Sequence, residues 1–290
     1  MISLGHEQRS AAQRMIDAGI DADEARLESE LLLRHVLGID RAAFLRLKER
    51  EMPPDARQRF LPLLERRLAR EPLAYIIGKR AFFGMMFEVD RNVLIPRPET
   101  EGLVERALAL ASGGWMGGSP LIADVGTGSG CIAVTLAAKL PGARLLACDV
   151  SAAALGVAQR NAERYNVATH IRFIAGDLLT LVTNQIDAII SNPPYIPSAE
   201  IDTLPPEIAR YEPLWALDGG ADGLAVIRQL LKQAPRRLKP GGAVLLEIGD
   251  GQGDAVRQLA LAAFPDARVE VERDLAGLER YVTIRRMAAP

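Results

Sequence analysis

From the first residues to about residue 75, apolar positions recur three and four apart, as in Leu27, Leu31 and Leu32 followed by His35 and Val36. That period puts the apolar side chains on one helical face, and the segment predicts a bundle of about four helices. Gly19 and Gly38 stand where helix C-terminal glycines belong, Pro53 and Pro54 fit a break before another helix, and Pro72 ends that helix or kinks it. From Tyr75 to Leu94 the pattern turns aromatic and β-branched (Phe82, Phe83, Phe87, Val89, Val93), which predicts a short strand pair turning near Asp90, Arg91 and Asn92.

From Glu99 onward, apolar runs of strand length alternate with helical periodicity, the pattern of βαβ units and a parallel sheet covered on both faces. Seven strands are predicted: 121–124, 144–149, 171–175, 188–191, 243–248, 268–273 and 281–285. Helices fill 99–111, 130–139, 151–165, 222–238 and 252–264, and 112–119, rich in glycine, reads as a flexible surface loop. The chain therefore divides into a helical domain over 1–74, a β connector over 75–98 and an α/β domain over 99–290.

Composition narrows the function classes. Among 290 residues, 49% are hydrophobic and 25% charged, the balance of a folding globular chain. Lys and Arg number 35 against 37 Asp and Glu, so the large basic footprint of a duplex-DNA binder is not expected. Cys131 and Cys148 lie in apolar stretches and read as buried thiols, not as a disulfide scaffold. His6, His35 and His170 are scattered without Cys or His neighbours at ligand spacing, and no metal site is expected. The start has no cationic stretch followed by an apolar one, and no long uncharged apolar run occurs, so a cytoplasmic chain without a membrane span is expected.

The candidate chemistry begins at Asp124-Val125-Gly126-Thr127-Gly128-Ser129-Gly130, which follows a predicted strand and opens a predicted helix. Its glycines permit a sharp turn and a close approach of ligand to backbone. Asp149 ends the next strand about twenty residues on, where a carboxylate can accept from both hydroxyls of a ribose. Together they imply an adenosine-type ligand. A dinucleotide fingerprint would need glycine at position 131, where Cys131 stands. That disfavours a pyrophosphate and leaves S-adenosylmethionine, which carries none, the better fit. Asp177, at the end of the third strand, is placed to reach the adenine region.

The second candidate is the strand over 186–191, which stops at Asn192-Pro193-Pro194-Tyr195. Two prolines fix φ and remove two N–H donors, so the turn offers carbonyl oxygens in nearly rigid positions. An sp² amino group, on an amide or on adenine N6, has two N–H donors and a delocalised lone pair. Accepting its hydrogens at the Asn192 side-chain oxygen and the Pro193 carbonyl would orient that poor nucleophile and stabilise the positive charge growing on it. Tyr195 is expected to stack on the planar substrate.

These residues resemble class I S-adenosylmethionine-dependent amino methyltransferases. Within that class, Glu30 to Gly38, Pro72 to Gly78 with Phe83 and Gly84, and Ile95-Pro96-Arg97-Pro98-Glu99-Thr100-Glu101 resemble the HemK/PrmC branch, the protein-(glutamine-N5) methyltransferases of peptide chain release factors. The resemblance implies a Rossmann-like seven-stranded sheet behind an N-terminal helical bundle that helps to hold the substrate. It also implies methylation of the glutamine in the Gly-Gly-Gln motif of release factors, with S-adenosylhomocysteine released. Carried over, Gly126, Thr127, Gly128, Ser129, Gly130, Asp149, Asp177, Leu178 and Asn192 would meet the cofactor, and Asn192, Pro193, Pro194 and Tyr195 the glutamine. Some members carry an aromatic residue where this chain has Leu178, whose aliphatic face would cover the adenine.

The stretch from Pro96 to Glu99 reads as capping chemistry ahead of a helix. Residues 197–223 exceed a simple crossover and are expected to form part of the substrate wall. The arginines between Arg41 and Arg70 read as a solvated helix face. The same tetrapeptide would serve an adenine or guanine amino group in nucleic acid, and the charge balance opposes that alternative. A non-catalytic cofactor-retaining adapter is the alternative from another class, opposed by the intact tetrapeptide.

Overall fold

A computed structural model describes residues 2–114 and 118–287; part of the glycine-rich loop expected over 112–119 lies outside the described residues. The chain divides into two compact units, one of residues 1–78 with 205–211, and another of 79–204 with 212–290.

The first unit contains α1 (Leu4–Asp17), α2 (Ala22–Leu37), α3 (Arg41–Leu47), α4 (Pro54–Leu68) and α5 (Leu73–Ile77). Each start has its own device. Ser3, Asp21 and Asp40 accept main-chain N–H groups at the heads of α1, α2 and α3, and Pro54 opens α4, where a missing N–H costs nothing. Gly38 closes α2 at φ 66°, as its position in the sequence predicts. Pro72 does not end α4, which stops at Leu68; it precedes α5 instead, because proline's fixed φ suits a helix start. Met15, Leu32, Leu33, Phe44, Phe60 and Leu64 form the core.

One arginine in the supposed solvated face is fully buried. Arg67 donates to Glu28 (2.5 Å), to Glu207 (2.8 Å) and to Glu24 (3.4 Å), and Arg70 also reaches Glu207. Glu207 belongs to α9 (Pro206–Tyr211), and the Tyr211 hydroxyl donates to the Ala69 carbonyl at 2.7 Å. These bonds are why 205–211, though distant in sequence, packs as part of the helical unit.

The second unit begins with a hairpin, β1 (Lys79–Phe82) and β2 (Met85–Glu88). Its turn is Phe83-Gly84, at φ 50° and 72°, not the expected 90–92. Positive φ at both places is the type I′ hairpin turn, and Phe83 adopts it against its own preference. Phe82 and Phe87 are buried in this unit's core, so the stretch is not a free connector.

The strands that follow are β3 (Leu121–Val125), β4 (Arg144–Asp149), β5 (Ile171–Ala175), β6 (Ile186–Ser191), β7 (Leu238–Glu247), β8 (Arg268–Arg273) and β9 (Glu279–Arg285). They form a seven-stranded sheet in the order β5-β4-β3-β6-β7-β9-β8. Alternate residues face two separate cores. Ile122, Leu145, Ile190 and Leu245 pack with α6 (Glu101–Ser112), α7 (Cys131–Lys139) and α8 (Ala152–Arg164). Ala123, Leu146, Ile189 and Leu246 pack with α10 (Ala225–Gln233) and α11 (Gly253–Ala263).

The sheet is not wholly parallel, because β9 runs against β7 and β8. The 274–278 link between β8 and β9 is far too short for a crossover helix, so reversal is forced. Helix α10 is also shorter than expected, since Pro235 sits in a 3₁₀ turn ahead of a longer β7. After β3 the chain winds outward through β4 and β5, then returns to place β6 on the other side of β3. Ligands of open α/β sheets bind beyond the strand ends at such a switch. Among the described residues, no helix is long and apolar enough to cross a membrane.

Candidate functional site

A cleft of about 200 Å³ opens at that switch, lined by the glycine loop after β3, Asp149 after β4, Asp177 and Leu178 after β5, and Asn192 to Pro194 after β6. The Ser191 hydroxyl donates to the Val125 carbonyl at 2.6 Å, joining the ends of β6 and β3.

The glycine loop is held by main chain and by side chains. Gly126 and Thr127 both donate N–H to the Cys148 carbonyl (2.8 and 3.0 Å). Gly128 stands at φ 54°, and a Cβ there would meet no atom within 4 Å, so the main chain faces open cleft. Gly130 differs from the expectation. It does not line the cleft; at φ 77° it caps α7, and a Cβ would stand 2.9 Å from Ala158 Cβ. Its small size serves helix packing, not ligand approach. Thr127 and Ser129 do line the cleft, both largely buried.

Asp124 braces this loop from beneath. Fully buried, it accepts the Thr127 hydroxyl at 2.7 Å and the Ala133 N–H at 3.1 Å through one oxygen, and burial pushes its carboxyl up to about 7. Asp149 accepts Gly128 N–H on one oxygen and Ser151 N–H on the other, both at 2.9 Å. Each oxygen keeps another lone pair for hydroxyls of a ligand, and burial raises this carboxyl as well. Asp177 is exposed at the cleft wall, while Leu178 beside it holds φ 51°, a conformation that branched side chains rarely adopt.

The tetrapeptide end is built from side chains. Asn192 Nδ2 donates to Thr100 Oγ1 at 2.9 Å, and Thr100 donates to Glu247 Oε2 at 2.8 Å. Thr100 and Glu247 are buried, and burial pushes the Glu247 carboxyl up to about 7 against the opposing Thr100 hydrogen bond and the Arg280 charge. Among the described residues no donor occupies the Asn192 side-chain oxygen or the Pro193 carbonyl. Both residues line the cleft.

Tyr195 is placed differently from the expectation. It is not among the residues lining the cleft: its hydroxyl donates to Glu247 Oε1 at 3.3 Å, Gln252 donates to its carbonyl at 2.9 Å, and its ring packs against the core beneath the sheet. A phenol in an apolar setting needs a polar partner, and Glu247 is the one within reach. Burial and the neighbouring carboxylate push the Tyr195 hydroxyl upward.

Sequence reasoning missed Glu247 and Glu212, and took Arg97 and Thr100 only as part of the 95–101 segment that carries the resemblance. Arg97 lines the cleft and donates to Glu212 at 2.5 Å, and Glu212 also accepts the Ile95 N–H at 3.2 Å. This pair pins the strand-like 93–97 segment that forms one wall. The signal was present in Glu247, an acid at the end of an apolar run. Trp215, from the long segment expected in the substrate wall, lies on the cleft rim and is 54% exposed.

Comparison with known proteins shows the family. Residues 8–78 match the PrmC N-terminal domain and residues 117–204 the methyltransferase small domain. The release factor glutamine methyltransferase of Cereibacter sphaeroides is 44% identical over 283 residues, covering 97% of this chain and 98% of that protein. That of Rhodospirillum rubrum is 41% identical over 286 residues, covering 99% and 86%. Among solved structures, the hMettl16 catalytic domain in complex with MAT2A 3'UTR hairpin 6 shares the fold, with a TM-score of 0.56 at 17% identity over 80% of this chain and 81% of that one. Relatives of that identity, matched over most of both chains, show that the chain belongs to the release factor glutamine methyltransferase family.

Proposed function

We propose that the cleft transfers a methyl group from S-adenosylmethionine to the side-chain amide nitrogen of the glutamine in the Gly-Gly-Gln motif of peptide chain release factors. The observation that carries this reading is the pair of open acceptors, Asn192 Oδ1 and the Pro193 carbonyl, in the same cleft as Gly128 and Asp149. The adenosyl group fits these residues: the Gly128 main chain faces open space, and Asp149 offers lone pairs to ribose hydroxyls. When bound, the cofactor supplies an electrophilic methyl on a sulfonium and leaves as S-adenosylhomocysteine.

The chain's own contribution is to orient and polarise a weak nucleophile. An amide nitrogen shares its lone pair with the carbonyl, and becomes positive as it forms a new bond. Asn192 Oδ1 and the Pro193 carbonyl each accept one of its hydrogens, which fixes its direction and stabilises that growing charge. Pro193 and Pro194 hold the turn rigid, so the acceptors need little reorganisation. Tyr195 supports this arrangement from behind through Glu247, in place of the stacking role expected for it. Asp177 and Leu178 line the cleft and are the residues we assign to the adenine, and Thr127 and Ser129 line it beside Gly128. The helical unit is the part we assign to holding the release factor, and the cytoplasm is where that substrate is met; no stable nucleic-acid partner or membrane partner is required.

A labelled-methyl assay tests the reading with three substrates: purified release factor, the same protein with the tripeptide glutamine replaced by alanine, and nucleic acid. Label on the first alone is expected. Label on nucleic acid alone would overturn the substrate assignment, and none on any of the three would favour the adapter.

A further inference from the structure

We infer that Thr100 and Glu247 are positioning residues that fix which way the Asn192 amide faces, an inference that rests on the acceptor role proposed above. An asparagine amide can present either its oxygen or its NH₂, and only the oxygen can accept from the substrate. The choice is made by what stands behind it. Glu247 is 1% exposed, and its Oε2 lies 2.8 Å from Thr100 Oγ1. An ionised carboxylate has no proton to give, so the single Thr100 proton goes to Glu247. The Thr100 oxygen is then left only as an acceptor toward Asn192, which must turn its Nδ2 to it, at 2.9 Å. Oδ1 thereby faces the cleft. The Tyr195 hydroxyl donates to the other Glu247 oxygen and reinforces the same polarity.

Protonation of Glu247 reverses this logic. A neutral carboxyl can donate to Thr100, which frees the Thr100 proton to donate to Asn192 Oδ1. The amide then turns its NH₂ toward the substrate's own NH₂, donor against donor. The groups facing Glu247 bear on that proton from several elements: Arg280 from β9 favours the ionised form, Glu99 ahead of α6 opposes it, and the Tyr195 and Thr100 hydroxyls donate to it. Tyr281 of β9 and Cys131 of α7 are also within electrostatic reach. With its carboxyl pushed up to about 7, Glu247 ionises as the pH rises through neutrality, so turnover should rise with pH across that range.

The test compares wild type with Thr100→Val, Thr100→Ser and Glu247→Gln, reading kcat and KM for release factor methylation across pH and the dissociation constant of S-adenosylmethionine. Thr100→Val keeps the shape and removes the hydroxyl; it should lower kcat about 10- to 100-fold while cofactor affinity stays within about twofold. Thr100→Ser should restore kcat to within about threefold of wild type, because the hydroxyl and not the methyl carries the role. Glu247→Gln should lose the rise in kcat through neutral pH. A Thr100→Ser enzyme as slow as Thr100→Val, or a Glu247→Gln enzyme with the wild-type pH profile, would overturn the inference. A wild type that methylates no release factor overturns the functional reading and this inference with it; a normal wild type matched by Thr100→Val overturns the inference alone.

Discussion

Where the cleft meets the glycine loop, its wall is main chain: Gly126 and Thr127 hang on the Cys148 carbonyl, and Asp149 is held by two backbone N–H groups. Where it meets Asn192, the wall is a file of side chains running from Asn192 through Thr100 to Glu247. The glycines of the first construction are sensitive to an added Cβ, which collides at Gly130 and meets a costly positive φ at Gly128. The second depends on hydrogen-bond polarity. One end can therefore be damaged by a methyl group, and the other by exchanging a hydroxyl for an isosteric methyl.

The sharpest break in that comparison is Asn192→Ala. It deletes the acceptor oxygen and should lower kcat about 10²- to 10³-fold, about 3–4 kcal/mol of barrier, while cofactor affinity hardly moves. Single-turnover methylation paired with calorimetric cofactor binding separates the two. Equal losses in both would mean that the two ends are not independent.

Next comes Gly130→Ala, which should damage the fold and not the chemistry. Its Cβ would lie 2.9 Å from Ala158 Cβ at a φ of 77°, so left-handed strain and overpacking together should cost about 2–4 kcal/mol. Gly128→Ala meets only the backbone strain, since nothing lies within 4 Å, and should cost about 1 kcal/mol of stability while blocking ligand approach. Thermal denaturation and cofactor titration of both variants check the contrast: stability falls more for Gly130→Ala, affinity more for Gly128→Ala. The reverse order would show that Gly130 meets the ligand after all.

This pair also shows where sequence reading stops. The continuous apolar runs through Ile122 and Ala123 and through Leu145 and Leu146 announce a sheet buried on both faces, and the glycine spacing with Asp149 points to the proposed nucleoside site, because both are local signals with one physical cause. Gly126, Gly128 and Gly130 look alike in the sequence; only the arrival of Ala158 from α8 separates packing from ligand approach. Asn192 is legible as an acceptor because two prolines follow it. Its orientation is not legible, since Thr100 and Glu247 come from positions 92 residues before and 55 after, with no shared motif. Tyr195 misleads for the same reason: its position after Pro194 does not say that a buried carboxylate will draw its hydroxyl away from the cleft. The turn at Phe83-Gly84 is concealed by an aromatic residue at a φ it seldom takes, and the attachment of 205–211 to the helical unit depends on a buried Arg67 that composition places on the surface.

A smaller effect is expected at Asp149. In Asp149→Asn one acceptor becomes an NH₂ that faces a backbone N–H, either of Gly128 or of Ser151, and a negative charge is lost beside the ligand hydroxyls. Cofactor affinity should fall about tenfold, within the about 1–3 kcal/mol of an unsatisfied polar group, with kcat at saturating cofactor nearly unchanged. A kcat loss as deep as that of Asn192→Ala would erase the distinction between the two ends.

The last effect, and the most specific in sign, belongs to Asp124, which braces the main-chain end from within together with Asn161, whose Nδ2 donates to the Ser129 carbonyl at 2.9 Å. Its carboxyl is raised from 3.8 to about 7, chiefly by burial, and its second oxygen has no hydrogen-bond partner among the described residues. The folded state therefore keeps a proton that the unfolded state releases, so between about pH 4 and 7 stability falls as pH rises, and it levels off above that. In Asp124→Asn the oxygen can still accept from Thr127 and Ala133, while no charge is buried at any pH. The variant should gain on wild type by about 1 kcal/mol or more between pH 5 and 8 in chemical denaturation. Part of the wild-type slope should persist in it, because Glu247 is raised in the same direction to about 7. A variant equally destabilised at both pH values would mean that Asp124 is ionised throughout and that its charge, not its hydrogen-bonding shape, holds the glycine loop.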